Sequence, residues 1–454
     1  MTTQTEGAGD STTKSLDPRR AVPIAAILAA MALVVIDAGG ANLSLPSIAA
    51  SLHIDPSTAI LVVTVYQLAV VMALLPSAAL GERFGLRRVF AAGVITFTAA
   101  ALIAASSASL PQLLLARFIQ GLGASAILAL GVALLRATVS DRLLAAAIGW
   151  NAMTVALAAA AGPAIAAIIL SHFSWNWLFV FELPLSTLVL LASPALPLVA
   201  PASQRTDFLS IALNFAAFGL LIFGINVAVP HPLAAGCMLL ASLLAFATLI
   251  AREANRSRPL LPLDLLRGAS FRNSILASVL CFVGQTAGLI ALPFYLQVGL
   301  GLSPSMVGLY LTVWPLSIAA TAFVAGRLSR WASSSVLCVS GASLLALGMF
   351  AVAAWPLRNP IVLVPFLVAS GIGFGLFQVA NNRNMFLAAP LTRSGAAGGM
   401  QGTARLLGQA GGAALVAQLF TAFPLGAAPH LAMGVAATFA LAASAVSMFR
   451  AITP

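Results

Sequence analysis

The chain has 454 residues, of which 61% are hydrophobic and only 7% are charged. Because soluble domains carry about 45–50% apolar and about 25% charged residues, this composition cannot cover a surface that faces water. It excludes a soluble enzyme, a nucleic-acid-binding protein and a disordered chain. It predicts an all-α membrane protein with many spans.

Fourteen apolar segments follow one another, each long enough to cross a bilayer as a helix. Residues 1–20 are rich in Ser, Thr and Gly, and we predict that they form a cytoplasmic tail. A cleaved signal peptide is the alternative for the first apolar run, but that run is too long for one and more spans follow. The predicted spans are 22–45, 57–80, 89–108, 112–136, 143–170, 176–199, 208–229, 232–251, 271–298, 304–326, 334–354, 360–380, 396–422 and 428–449.

The net charge of +11 follows a topological pattern. With fourteen spans both termini lie on one side of the membrane, and every Lys and Arg except Arg117, Arg358 and Arg405 then falls on that side. Arg358 lies in an opposite loop, and the other two lie within spans. The positive-inside rule therefore predicts cytoplasmic termini in a bacterial plasma (inner) membrane, with no nucleic-acid partner. The three cysteines lie in apolar runs and indicate neither a disulfide framework nor a metal site.

The second part of the chain repeats features of the first. Tyr66 and the loop 81–88 have counterparts in Tyr310 and 326–330, and Gly121-Leu-Gly123 is echoed by residues 371–375. In each case the two counterparts are eight spans apart. We therefore predict a six-helix bundle over 21–200, a linker with two extra transmembrane helices over 201–270, and a second six-helix bundle over 271–454. Parallel halves of this kind are typical of transporters that bind substrate between the halves.

Four segments carry recognisable motifs: Asp37 to Pro46 in the first span, Leu80 to Arg88 after the second, Arg117-Phe-Ile-Gln-Gly-Leu-Gly in the fourth, and Gly162-Pro163 in the fifth. They resemble the major facilitator superfamily, in particular its fourteen-helix drug:proton antiporter branch. The resemblance implies the two-bundle fold and identifies Gly162 and Pro163 as an antiporter motif, although plain helix packing is the alternative for that pair.

The loop after the second span resembles the gating loop of that family. Its candidate residues combine one acid with arginines at a helix end, where charge-assisted bonds can hold a neighbouring helix. The alternative is a turn that only obeys the positive-inside rule, which explains the arginines but not their spacing. Ala78, Glu82 and Leu86 depart from the family pattern. The candidate gating residues are Glu82, Arg83, Gly85, Arg87 and Arg88.

The positions of the acids limit where a proton can bind. No Asp or Glu lies beyond Asp264, and only Asp37 and Glu182 lie well within spans. With a rise of about 1.5 Å per residue, these two and Arg117 reach a similar depth, nearer the periplasm. Charge within a span is costly, so we predict one polar proton-coupling site formed by Asp37, Glu182 and Arg117, with Asp37 as the proton-binding group. A snorkelling anchor is the alternative for Arg117.

Amide and aromatic side chains within the spans are candidates for a substrate site, because they can hold amphipathic ligands of several shapes. Hydrogen bonding between helices is the alternative for each of them. These candidates are Asn42, Tyr66, Gln67, Asn151, Gln285, Tyr295, Gln297, Trp314, Gln378, Asn382 and Gln409.

The resemblance implies a monomeric transporter that exports hydrophobic cations across the lipid bilayer in exchange for protons, by alternating access. The proton gradient would supply the energy, with no cofactor and no metal. An exporter of one endogenous metabolite and a non-transporting membrane scaffold are the alternatives. An enzyme is not expected, because the spans contain no nucleophile–base set and no cluster of metal ligands.

Overall fold

A computed structural model describes residues 18–199, 207–254, 263–328, 332–354, 360–390 and 393–452. All the regular elements in these ranges are helical, and fourteen of them are long α-helices. They are α1 (Pro18–Leu52), α2 (Pro56–Phe84), α3 (Leu86–Ala105), α4 (Leu110–Thr138), α5 (Asp141–His172), α6 (Trp177–Ala192), α7 (Phe208–Asn226), α8 (Pro232–Glu253), α9 (Ala269–Phe294), α10 (Pro304–Leu328), α11 (Ser334–Ala354), α12 (Leu363–Ala388), α13 (Ser394–Ala422) and α14 (Ala428–Ile452).

Twelve of these helices are long and apolar enough to cross a membrane. The described residues of α10 and α13 do not meet this requirement for length and hydropathy, although the two helices are 25 and 29 residues long. The predicted all-α membrane fold with fourteen helices is confirmed. Most of the predicted tail (1–20) and several basic residues used to predict the topology lie outside the described residues: Lys14, Arg205, Arg256, Arg258, Arg330 and Arg358.

Several predicted span ends differ from the observed helix ends, and the local sequence explains two of the differences. The sixth span ends as an α-helix at Ala192, because Pro194 and Pro197 have no N–H to continue it. The twelfth span continues to Ala388, next to the residue that precedes Pro390, so that Asn382 lies within a helix. The ninth span changes to a π-helix over Tyr295–Gly299.

The same helix pairings recur after eight helices. Within the first six helices α1 packs on α5 and α6, α2 on α4, and α3 on α4 and α6; within α9–α14 the equivalent pairs also pack together. Between these two halves, α2 packs on α13 and α5 packs on α10, which are also equivalent pairs. These two pairs form most of the contact between the halves, and α1 adds a smaller contact with α9 and α10.

The inserted helix α7 contacts both halves, and α8 packs on α7. Asn214 of α7 donates a 2.7 Å hydrogen bond to the carbonyl oxygen of Met72 in α2. At the opposite end of α7, the side chain of Gln418 in α13 accepts from the Val229 N–H at 2.8 Å and donates to the carbonyl oxygen of Asn226. The inserted pair thus lies beside the contact between α2 and α13.

Close packing of α3 and α4 requires a residue without a side chain at Gly123. A Cβ atom there would lie 2.6 Å from the Gly93 carbonyl oxygen and 2.6 Å from the Phe97 nitrogen. We expect Gly123→Val to lower the free energy of unfolding by about 1–3 kcal/mol, measured by equilibrium unfolding in mixed micelles. Gly149→Val is the control, because a Cβ at Gly149 meets nothing within 4 Å in the described structure. Equal losses in the two variants would contradict this packing argument.

Candidate functional site

Five polar side chains from four helices meet inside the first half of the protein. They are Asp37 of α1, Tyr66 of α2, Arg117 and Gln120 of α4, and Glu182 of α6, and all five are buried. We call this group the ionic cluster. It brings together Asp37, Arg117 and Glu182, which the sequence predicts at a similar depth in the membrane.

A buried ion pair forms the centre of the ionic cluster. Arg117 Nη1 lies 2.6 Å from Asp37 Oδ1, and the two side chains are 0% and 1% exposed. The same Nη1 donates to Gln120 Oε1 at 2.7 Å, and Arg117 Nε donates to the Val62 carbonyl oxygen at 3.4 Å. Arg117 therefore does not extend to a membrane surface. Its charge is satisfied within the protein, as a buried charge must be.

Gln120 connects the ion pair to the second acid. Its Nε2 donates a 2.8 Å hydrogen bond to Glu182 Oε2, while its Oε1 accepts from Arg117. Gln120 follows Arg117 by three residues, so both side chains project from one face of α4. Glu182 consequently receives a hydrogen bond from a neutral amide, whereas Asp37 receives one from a cation.

Aromatic rings surround the guanidinium group. The Arg117 Cζ atom lies 4.1 Å from the centre of the Tyr66 ring and 5.5 Å from that of Phe179. Such contacts stabilise a cation when water is excluded. Among the described residues, three buried polar atoms of the ionic cluster have no hydrogen-bond partner: Asp37 Oδ2, Arg117 Nη2 and the Tyr66 hydroxyl. The cluster can therefore form further hydrogen bonds.

The charges of the ionic cluster do not balance when both acids are ionised. Two carboxylates then face one guanidinium, which leaves one negative charge in the apolar interior. Since an uncompensated buried charge costs several kcal/mol, one acid must bind a proton or the ionic cluster must bind another cation. The ionic cluster can therefore hold one further positive charge, either a proton on an acid or a bound cation.

The other predicted substrate residues do not converge on the ionic cluster. Gln297 donates to the carbonyl oxygen of Leu43 at 3.2 Å and so joins the two halves. The Tyr295 ring packs edge-on against His430, with 4.9 Å between ring centres. Trp314 is fully buried in the second half, and Asn382 accepts a 3.1 Å hydrogen bond from Gln401.

Six further candidates are placed on several helices. Asn42, Gln67, Asn151 and Gln285 each have a buried side-chain oxygen with no hydrogen-bond partner among the described residues. Gln378 and Gln409 are half-buried on α12 and α13.

The predicted gating loop is a tight turn between α2 and α3. Gly85 separates these helices with φ of 97°, a conformation that glycine adopts without strain. The Arg83 guanidinium lies 5.5 Å from the centre of the Phe208 ring on α7, and Arg87 Nη1 lies 3.5 Å from the Leu196 carbonyl oxygen beyond α6. Glu82 and Arg88 are exposed. The two arginines thus contact the neighbouring segments α7 and 193–199.

Gly162 and Pro163 lie where three helices meet. A Cβ at Gly162 would lie 3.1 Å from the Ile36 carbonyl oxygen of α1, and one at Gly39 would lie 3.2 Å from Pro163 Cδ. Gly308 of α10, from the other half, packs closely against Pro163. A Cβ atom at Gly308 would lie 3.1 Å from the Pro163 carbonyl oxygen. The Gly-Pro pair therefore lies at a contact between the halves and directly beside the helix that carries Asp37.

The prediction did not include Gln120 among the site residues. Its position three residues after an intramembrane arginine was the available signal, because residues three apart share a helix face. The motif containing Gln120 had been recognised, but its side chain had not been assigned a contact.

Comparison with known proteins identifies the family. The Major Facilitator Superfamily model matches residues 27–413, and the chain belongs to this family of membrane transporters. The peptide transporter POT in complex with sulfate has the same fold, with a TM-score of 0.72 and 17% identity over 95% of this chain and 94% of that one.

Three relatives show the range of transporters to which the chain is similar. It is 38% identical to the uncharacterized transporter YebQ of Escherichia coli (strain K12), over 96% of this chain and 97% of that protein. It is 28% identical to the riboflavin transporter RibZ of Clostridioides difficile (strain 630), over 84% and 83%. It is also 28% identical to the multidrug efflux pump LfrA of Mycolicibacterium smegmatis (strain ATCC 700084 / mc(2)155), over 93% and 85%.

Proposed function

We propose that this transporter exports hydrophobic cations from the cytoplasm in exchange for protons, by alternating access between its two halves. It acts as a monomer in the bacterial plasma (inner) membrane with both termini in the cytoplasm. The proton gradient supplies the energy, and no cofactor takes part. Similarity to LfrA, a multidrug efflux pump, supports an efflux role.

The charge imbalance of the ionic cluster carries this proposal. Arg117 balances one acid, and the other acid is neutral only when it holds a proton or when a cationic substrate lies beside it. A proton and a cation therefore compete for the same negative charge, so binding of one releases the other. Competition of this kind is the minimum requirement for an antiporter.

The contacts favour Glu182 over Asp37 as the acid that exchanges its proton. Asp37 lies 2.6 Å from the Arg117 guanidinium, so its negative charge has a cationic partner. Glu182 is buried and its hydrogen bond comes from the neutral amide of Gln120, so its negative charge has no such partner. We therefore assign proton exchange to Glu182 and assign to Asp37 the role of holding Arg117. This revises the prediction that Asp37 binds the proton.

The second candidate function is export of one endogenous metabolite. Similarity to the riboflavin transporter RibZ supports it. Arg117 Nη2, which has no hydrogen-bond partner among the described residues, could pair with a polar or anionic group of such a substrate. Transport of one compound, with no accumulation of structurally unrelated cations, would favour this candidate.

Proton coupling can be measured in inverted membrane vesicles. A hydrophobic cationic dye should accumulate in vesicles that contain the protein when the lumen is acidified. Nigericin in potassium buffer should abolish the accumulation, because it collapses the pH gradient that drives exchange. Vesicles without the protein serve as the control. Accumulation that persists in nigericin would overturn the proposal.

A further inference from the structure

A cavity lies beside the ionic cluster on the outer side of the first half. It has a volume of about 220 Å³ and is lined by α1, α5 and α6. Asp37 and Glu182 both contribute to its wall, and all its other lining residues are apolar or glycine. The cavity thus combines two acidic groups with a hydrocarbon-like wall.

The open end of the cavity faces the surroundings of the protein. Its lining residues Ile165 of α5 and Phe181 of α6 are 38% and 52% exposed. Ile168 and Leu188, farther along the same two helices, are also exposed and apolar. Since α6 packs on α1 and α3 of its own half, this perimeter contacts lipid in a membrane. The cavity therefore opens laterally toward the bilayer.

The inner wall presents a polar atom that can bind a ligand. Asp37 Oδ2 is buried and has no hydrogen-bond partner among the described residues, although Asp37 Oδ1 is paired with Arg117. Glu182, on the same wall, is the acid that lacks a cationic partner in the hydrogen-bonded cluster. A cation in this cavity would face both acids without displacing Arg117.

We propose that this lateral cavity binds the cationic head of a lipophilic ammonium compound that enters from the bilayer. The inference rests on the proposed function for the negative charge that attracts the head. The volume is below the range of about 300–1,000 Å³ that holds a drug-sized ligand. The cavity thus accommodates a compact ammonium head, while the alkyl chain passes between Ile165 and Phe181 and stays in lipid.

Binding to the full-length protein in nanodiscs tests this proposal. The probe is dodecyltrimethylammonium, and the variants are Ile165→Trp, which narrows the opening, and Ile168→Trp, which adds the same bulk on the same lipid-exposed helix outside the cavity lining. Ile165→Trp should raise the Kd at least about tenfold, a change of 1.4 kcal/mol. Ile168→Trp should leave it unchanged. Equal Kd values in the three proteins would overturn the proposal.

Photolabelling locates the bound probe directly. A dodecyltrimethylammonium with a diazirine on a chain carbon close to the ammonium head should label the segments of α5 and α6 around Ile165 and Phe181. Excess unlabelled probe should suppress this labelling, and Ile165→Trp should reduce it. Labelling confined to helices that do not line the cavity would overturn the assignment.

Two comparisons separate the possible outcomes. If nanodiscs rich in phosphatidylethanolamine block the probe, the cavity binds a lipid amine, and the assignment to an exported lipophilic ammonium compound is wrong. If the dye experiment shows no proton-driven transport but Ile165→Trp still weakens binding, cation binding in the lateral cavity is supported and the proposed function is wrong. If transport is driven by protons and Ile165→Trp changes neither binding nor labelling, the proposed function is supported and binding in the lateral cavity is wrong.

Discussion

Arg117→Gln is expected to lower the free energy of unfolding by about 3–5 kcal/mol, because it leaves a buried carboxylate without its cation. In the native protein the guanidinium lies 2.6 Å from Asp37 and also bonds to Gln120 and the Val62 carbonyl oxygen. Arg117 is fully buried, so bulk solvent cannot replace the lost ion pair. Equilibrium unfolding in mixed micelles measures the loss.

Two further variants separate the lost charge from lost packing. Arg136→Gln removes an exposed arginine from the opposite end of the same helix and should change stability little. The double variant Asp37→Asn/Arg117→Gln removes both charges of the pair, and it should recover part of the stability that Arg117→Gln loses. A double variant that is less stable than Arg117→Gln would show that the ion pair is not the cause.

Glu182→Gln is expected to lower proton-driven accumulation of a cationic dye at least about tenfold, which corresponds to 1.4 kcal/mol of lost coupling. A glutamine has nearly the shape of the glutamate and can still accept the hydrogen bond from Gln120 Nε2. The fold should therefore be retained, while the group to which we assign proton exchange is lost. Dye uptake into inverted vesicles, at matched protein amounts, measures the effect.

The control for Glu182→Gln is the same kind of change at an exposed acid. Asp55→Asn lies at the start of α2, where the side chain makes no capping hydrogen bond, and it should leave uptake unchanged. Asp37→Asn should reduce both uptake and stability, because it removes the partner of Arg117. Full uptake by Glu182→Gln together with none by Asp37→Asn would return proton binding to Asp37.

The sequence predicted the helices well because membrane spans are set by long apolar runs. Fourteen segments gave fourteen helices, and errors arose where a local feature changed the end of a run, as at Pro194 after α6. Counting residues along the helices was also enough to place Asp37, Arg117 and Glu182 near one another. Each residue advances the helix by a fixed rise, so depth follows from sequence position alone.

The rotation of each helix about its axis could not be predicted. A soluble helix shows its buried face through an apolar stripe, but these helices are apolar all round, so their faces are not distinguished. The sequence therefore did not indicate that the Tyr66 ring packs against Arg117. For the same reason the contact between Gln120 and Glu182 was not predicted.

The ratio of two acids to one arginine also determines how an electrical potential can act on the transport cycle. In the proposed exchange, one bound proton or one monovalent cation leaves the ionic cluster electrically neutral in both directions of movement. Exchange of one for the other is then electroneutral, and the voltage across the membrane does no work on it. Exchange of a divalent substrate for one proton would instead move one net charge across the membrane, worth about 2.3 kcal/mol per 100 mV. Export of a divalent cation, unlike that of a monovalent one, should therefore change when valinomycin alters the membrane potential.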